Sequence, residues 1–330
     1  MTQQTSLLKS PRKSWQSDKS VFTFIDLFAG IGGFRIAAEK NGGKCVFSSE
    51  WDKNSSLTYQ ANHGDTPEGD ITKIDEKKIP DHDVLFAGFP CQAFSISGKR
   101  KGFEDTRGTL FFDVARIINY KKPKMFLLEN VKNLAKHDNG QTLDIILTTL
   151  QEMGYKVFHK VLRSSDYNVP QARERIYIVG FLDKSVEYTF PAPAKGFKIV
   201  KDILETHKKI DAKIIDRDFI MSDNQTITDP RKPKRLGHFN KGGQGERIYS
   251  INAAGITLSA YGGGAAGKTG AYLVGKTVRR LSPRECARLQ GYPDDFSIPV
   301  SHNYALKQFG DSVSVPVIEN LISNMLEAAL

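Results

Sequence analysis

From residue 21 onward the chain alternates short apolar runs with amphipathic stretches, the pattern of strands each followed by a helix. Residues 21–28 predict a first strand and 34–41 the helix after it; 44–49 predict a second strand that ends at Glu50. A buried strand is expected at 83–87, an amphipathic helix at 109–119 and a further strand at 124–128. Leu143, Ile146, Leu147, Leu150 and Met153 fall at helical spacing, with Gly154 as a C-cap, and 155–162 and 175–181 complete the strands. The fold class expected is α/β, a doubly wound sheet with helices on both faces.

Beyond Pro191-Ala192-Pro193, which reads as a hinge, the character changes. Residues 194–275 are rich in glycine and basic side chains, and Gly242-Gly243, Gly245 and Gly262-Gly263-Gly264 mark loops. Ser282-Pro283-Arg284-Glu285 supplies an N-cap, a proline at the first helical position and a glutamate at the third, so a helix starts at 283. The last segment carries a strand-like 313–317 and an amphipathic tail that returns to the first domain. The resulting division is a basic, flexible arm at 1–20, a main domain at 21–193, a small domain at 194–281, a connecting region at 282–303 and a C-terminal segment at 304–330.

Composition narrows the partners. The chain has 330 residues, 47 Lys and Arg against 37 Asp and Glu, and a formal net charge of +10. That surplus admits nucleic acid, anionic membrane or acidic protein as partners without choosing among them. Cys45, Cys91 and Cys286 are odd in number and without paired spacing, which points to a reducing compartment and a cytoplasmic location. Seven histidines show no ligand spacing, so no metal is expected. No run approaches the ~20 apolar residues of a membrane span, and the N-terminus lacks the apolar core of a secretion signal.

The candidate chemistry starts at Cys91, in Gly88-Phe89-Pro90-Cys91-Gln92 directly after a strand. A second apolar run ends in Glu129-Asn130-Val131. A nucleophile and a carboxylic acid at the carboxyl ends of two parallel strands face one crevice of an open sheet. That pair suits covalent attack on an electron-poor ring; the alternative for Cys91 is an inert core thiol. Strand 1 leads into Asp26-Leu27-Phe28-Ala29-Gly30-Ile31-Gly32-Gly33, where glycines let backbone approach a ligand. The spacing is not the dinucleotide fingerprint. Glu50 can accept both hydroxyls of a ribose, Trp51 can cover an adenine, Asp70 can hold the adenine amine and Ile71 can pack its edge. On these residues alone a nicotinamide-dependent enzyme stays open, although no hydride-transfer base is apparent.

Taken in order, six segments resemble the cytosine-carbon-5 DNA methyltransferases over about 22–320. They are the glycine loop, the Cys91 segment, Glu129-Asn130-Val131, Gln171-Ala172-Arg173-Glu174-Arg175, Arg280-Leu281-Ser282-Pro283-Arg284-Glu285-Cys286 and Gly310-Asp311-Ser312-Val313. Residues 94–112, 241–250 and 257–264 are most similar to bacterial restriction–modification members that methylate the inner cytosine of GCGC. The resemblance implies a Rossmann-like S-adenosylmethionine domain and a small, mainly β target-recognition domain. It implies S-adenosylmethionine as methyl donor, with Phe28, Gly30, Gly32, Gly33, Glu50, Trp51, Asp70, Ile71, Leu110 and Asp311 around it. It also implies duplex DNA as partner, with the target cytosine turned out of the stack.

Within that frame Cys91 adds to carbon 6, a covalent activation that cysteine serves. Glu129 shares a proton with N3, a role that burial favours. Arg173 and Arg175, two apart on a strand, point the same way; by resemblance Arg175 meets O2 and Arg173 supports the flipped nucleotide or the loop, and internal ion pairing with Glu174 or Asp166 is the alternative. The glycine-rich loop with Ser95, Ser97, Lys99 and Arg100 closes on DNA by the same resemblance. Gln244 fills the hole in the stack, and Arg247, Thr257 and Tyr261 lie in segments that meet bases and phosphates. The implied setting is a restriction–modification system, with a cognate endonuclease in the cell but not in a stable complex, and a monomeric enzyme.

One departure stands out: most relatives carry asparagine where this chain has Asp311. It is the sequence feature that favours a catalytically silent DNA-binding protein as the competing reading. The RNA-methylating branch is disfavoured, because its Cys-Phe-Thr signature does not occur here.

Overall fold

Alternation along β1 (Phe22–Leu27) sends Phe22 and Phe24 to one face of a sheet and Ile25 and Leu27 to the other. The protein is described by a computed structural model covering residues 13–16, 20–90, 110–206 and 210–329. β2 (Gly43–Ser49), β3 (Val84–Gly88), β4 (Met125–Val131), β5 (Lys156–Arg163) and β6 (Glu174–Phe181) join β1 in the order β2-β1-β3-β4-β6-β5. The first four strands are parallel; β6 lies antiparallel between β4 and β5. Phe86, Leu127, Tyr177 and Val179 share the face of Phe24, whereas Leu85, Ala87, Phe126, Leu128 and Ile178 share that of Ile25. Phe24, Phe86 and Phe126 are fully buried, each contributing about 1.5–3 kcal/mol of transfer free energy before its ordering cost.

Seven helices are described: α1 (Gly33–Lys40), α2 (Lys53–His63), α3 (Leu110–Lys121), α4 (Gln141–Glu152), α5 (Pro283–Leu289), α6 (His302–Asp311) and α7 (Val315–Ala329). Ile36, Ala37, Ile318, Leu321 and Ile322 of α1 and α7 cover the Phe24 face. Val114, Ile117, Ile118, Ile146 and Leu150 of α3 and α4 cover the Ile25 face. From β1 the chain crosses to β2 on one side, and from β2 it crosses back to β3 on the other side of β1. The carboxyl ends of β1 and β3 therefore flank a switch point, the place where open α/β sheets hold ligands. Because β6 is antiparallel, its amino end reaches the same edge.

β7 (Ile220–Met221), β8 (Arg235–His238), β9 (Arg247–Ser250), β10 (Ala271–Val274) and β11 (Thr277–Arg279) form a second sheet in the order β11-β10-β9-β8-β7. Its core is small: Ile215, Phe239, Ile248, Ala266, Ala271 and Val278. The α/β sheet is the one the periodicity predicts, and the smaller, mainly β partner is the one the family resemblance implies. Ser282 accepts from the Glu285 amide and Pro283 opens α5, as the capping-box motif requires.

One local expectation is corrected. Residues 313–317 are not strand-like; α7 begins at Val315. Val313, Val315 and Val317 alternate as in a strand, but Val317, Ile318, Leu321, Ile322 and Met325 make one buried helical stripe. Pro316 sits in the first helical turn, where its missing N–H costs nothing. Of the segment read as an N-terminal arm, residues 13–16 are described, and they pack on the body. The Ser14 amide and hydroxyl donate to Asp295, and Trp15 is buried edge-on to His63. Among the described residues no helix is long and apolar enough to cross a membrane.

Candidate active site

The turn after β1 is held in an unusual backbone shape. Phe28 has φ 56°, a left-handed conformation costly for a bulky residue, and Gly30 and Gly32 follow at 56° and 86°. A Cβ at Gly32 would lie 2.2 Å from His63 Nε2, so only glycine fits; one at Gly30 would meet none of the described residues within 4 Å, and among them it leaves an open cradle. The Gly30 amide donates to Glu50 Oε2 at 2.8 Å and the Asp52 amide to Glu50 Oε1 at 2.7 Å. Burial raises the Glu50 carboxyl above its usual range, and the Asp52 and Gly30 amides work against that. Trp51 beside it is 79% exposed. Asp70 caps the short turn Ile71–Lys73, accepting from the Thr72 hydroxyl and amide; the hydroxyl leads in lowering its carboxyl. Ile71 is buried, and Leu110 opens α3 half-buried.

Asp26, on the strand just before this turn, is fully buried, and among the described residues no side chain donates to its carboxylate. Burial pushes it up to about 8, against the opposing pull of the Arg35 guanidinium. In the unfolded chain it ionises near 3.8. Between these values the folded form keeps a proton the unfolded form has released, so its contribution is full below about pH 3.8 and is lost as pH rises towards 8. Asp26→Asn is therefore expected to gain melting temperature over the wild type progressively from about pH 5 to 8. Parallel melting curves for the two proteins across that range would refute the buried-acid reading.

At the next two strand ends, Gly88 of β3 pairs in register with Glu129 of β4. Glu129 is buried, and its Oε1 lies 3.1 Å from Arg175 Nε on β6. The Asn130 side-chain amide donates to Phe89 O at 2.8 Å, fixing the backbone two residues before Cys91. Cys91 and Ser95, Ser97, Lys99 and Arg100 lie outside the described residues. Among the described residues no ion pair joins Arg173 to Glu174 or Asp166: it is buried and donates to Gly310 O at 3.2 Å and Ser312 O at 2.6 Å. Burial, with Arg175 nearby, lowers its guanidinium to about 10. Arg163, not Arg173, pairs with Asp166.

The second sheet meets this edge through one stitched segment. The Ala172 amide donates to Gly255 O at 2.9 Å and the Gly255 amide to Pro170 O at 2.8 Å. Gln171, with no exposed surface, accepts from the Leu258 amide at 3.0 Å and donates to Leu289 O at 3.2 Å. The Thr257 hydroxyl donates to Ala172 O at 3.1 Å. Gln244 is exposed at the start of the turn Gln244–Glu246, and Arg247 opens β9 half-buried, its Nε without a partner among the described residues. Tyr261 is 80% exposed, with the Lys307 ammonium 5.7 Å from its ring centre. The Asp311 carboxylate accepts from that same ammonium at 3.1 Å.

Asn130 and Gln171 stand inside motifs legible in the sequence, but their partners were not. Lys307 carried no sequence signal beyond its charge. Among the described residues, no group of three His, Cys, Asp or Glu side chains is placed to hold a metal ion.

The profile of the C-5 cytosine-specific DNA methylases matches residues 22–327. The chain is 54% identical over 306 residues to the type II methyltransferase M.HhaI of Haemophilus parahaemolyticus, covering 92% of this chain and 93% of that protein. It is 49% identical over 302 residues to M.NgoBI of Neisseria gonorrhoeae, covering 91% of each. Among solved structures, the crystal structure of S. pombe Dnmt2 methyltransferase superimposes with a TM-score of 0.70 at 21% identity, over 93% of this chain and 98% of that one. The Entamoeba histolytica methyltransferase EhMeth does so at 0.71 and 16%, over 95% and 100%; these two likenesses concern the fold.

Proposed function

The chain belongs to the C-5 cytosine-specific DNA methylases, and on that premise we propose that it methylates the inner cytosine of GCGC in duplex DNA through a covalent Cys91 adduct. The observation that carries the reading is the edge shared by five strand ends. Glu129 and Arg175 face each other there, Asn130 fixes Phe89 two residues before the thiol, and the Gly30–Glu50 cradle lies two strands away. S-adenosylmethionine fits that cradle and supplies a methyl group carried on a sulfonium. Glu50, with each carboxylate oxygen already pinned by an amide, is fixed to receive ribose hydroxyls. Trp51 offers an uncovered ring for adenine, Asp70 and Ile71 its amine and edge, and Phe28 and Leu110 the flanks.

Cytosine carbon 5 is a poor nucleophile until a group adds at carbon 6, and the Cys91 thiolate makes that bond. Glu129 shares its proton with N3, so charge does not build up on the ring, while Arg175 donates to O2. Once carbon 5 carries the methyl group, loss of its proton to a water expels the thiolate and restores the ring. Arg173 anchors the Gly310–Ser312 backbone behind this pair. Gln244, Arg247 and Tyr261 contact DNA in the second domain, where an arginine on guanine O6 and N7 is the commonest specific contact. The protein acts as a monomer in a restriction–modification system, alongside an endonuclease that it does not hold.

The test is transfer of labelled methyl from S-adenosylmethionine to short duplexes carrying GCGC, GGCC or CCGG, with inner 5-methylcytosine in GCGC as control. Label confined to unmodified GCGC is expected. Label elsewhere would discard the site, and tight retention without label would favour a silent DNA binder.

A further inference from the structure

Asp311 occupies a costly place. It is the last residue of α6, where the helix dipole disfavours a carboxylate. Its partner, Lys307, stands four residues before it, the weaker order for a helical ion pair. The two side chains keep 29% and 51% of their surface exposed, and such pairs add little to stability. Helix stability thus gives no reason for the pair. Its surroundings give another. The ammonium stands against Tyr261, an exposed ring in the segment 257–264 that the proposed function places on DNA. Partial burial works against the ammonium, but Asp311, with Tyr261 and Asp52 beyond it, outweighs that and holds Lys307 above the ordinary lysine range. The carboxylate cannot drift away with its backbone, because the carbonyls on either side of it, at Gly310 and Ser312, are both taken by buried Arg173.

We propose that Asp311 is an internal competitor of DNA phosphate for Lys307, and that it weakens the protein's electrostatic hold on duplex DNA at the Tyr261 loop. The inference rests on the DNA-binding reading of that loop, not on turnover. A carboxylate at this place takes one of the ammonium's three donors and offsets its charge. A phosphate meeting Lys307 therefore gains less attraction, and releases less counterion, than it would at an unpaired ammonium.

The experiment is a double-mutant cycle on duplex binding with D311N, K307M and the double variant, at about 50 and 200 mM salt. D311N is expected to bind the duplex more tightly at the lower salt. It should lose about threefold more affinity than wild type between the two, the cost of one added phosphate contact. In the K307M background D311N should change nothing. An equal gain in both backgrounds would show a general charge effect and overturn the proposal, as would an unchanged duplex affinity accompanied by altered S-adenosylmethionine affinity. Protein that binds duplex with this coupling yet transfers no methyl would unseat the enzymatic reading and leave this one standing.

Discussion

Glu129→Gln is expected to slow single-turnover methyl transfer by about 10²–10⁴-fold, the range over which a positioned acid–base group acts. The amide keeps the volume of the side chain and can still bond the base, but it has no proton to share with N3 as the thiolate adds. Duplex affinity and S-adenosylmethionine affinity, measured in the same preparation, separate the loss of chemistry from loss of the site. A transfer rate within tenfold of wild type would remove Glu129 from the chemical step.

The second large effect concerns the joint between the two sheets. Glu285 has no exposed surface, and four donors converge on it: both terminal nitrogens of Arg279 at 2.7 Å, the Ser282 amide at 2.9 Å and the Glu205 amide at 2.9 Å. These donors come from the end of β11, the N-cap of α5 and the segment that enters the small domain. Removing one member of such a pair strands the other charge in the interior, so Glu285→Ala is expected to lower unfolding free energy by about 3–5 kcal/mol. Replacing both partners with leucine should recover a good part of that loss, since no uncompensated charge remains. Urea denaturation reads both effects. A loss below about 1 kcal/mol for the alanine variant would mean that Arg279 finds other acceptors.

These two sites differ in how far the sequence announced them. The strands that carry Glu129 and Arg175 were legible because their apolar runs are uninterrupted, and the capping box around Glu285 is a local signal. Arg279 as its partner was not legible, nor was the grip of Arg173 on Gly310 and Ser312, 137 and 139 residues away. Contacts at such separations follow from where the second domain and α6 dock, which no local pattern encodes. The error at 313–317 has a local cause. Alternating valines satisfy the strand period over five residues, and only the longer stripe through Met325 reveals a helix. Asp26 was read as part of a glycine motif, although its parity on β1 already turned it inward beside Phe24.

The stitch at Gly255 and Gln171 bears on how such proteins acquire new specificities. A recognition domain exchanged as a cassette at the apparent boundaries, near 194 and 281, would carry Gly255 and Leu258 away from the Gln171 side chain that spans them. It would also part Arg279 from Glu285. Functional chimaeras should therefore be those whose donor restores both seams, whatever bases the donor reads. Grafts that match only in length would leave Gln171 without its Leu258 partner and buried Glu285 without its guanidinium.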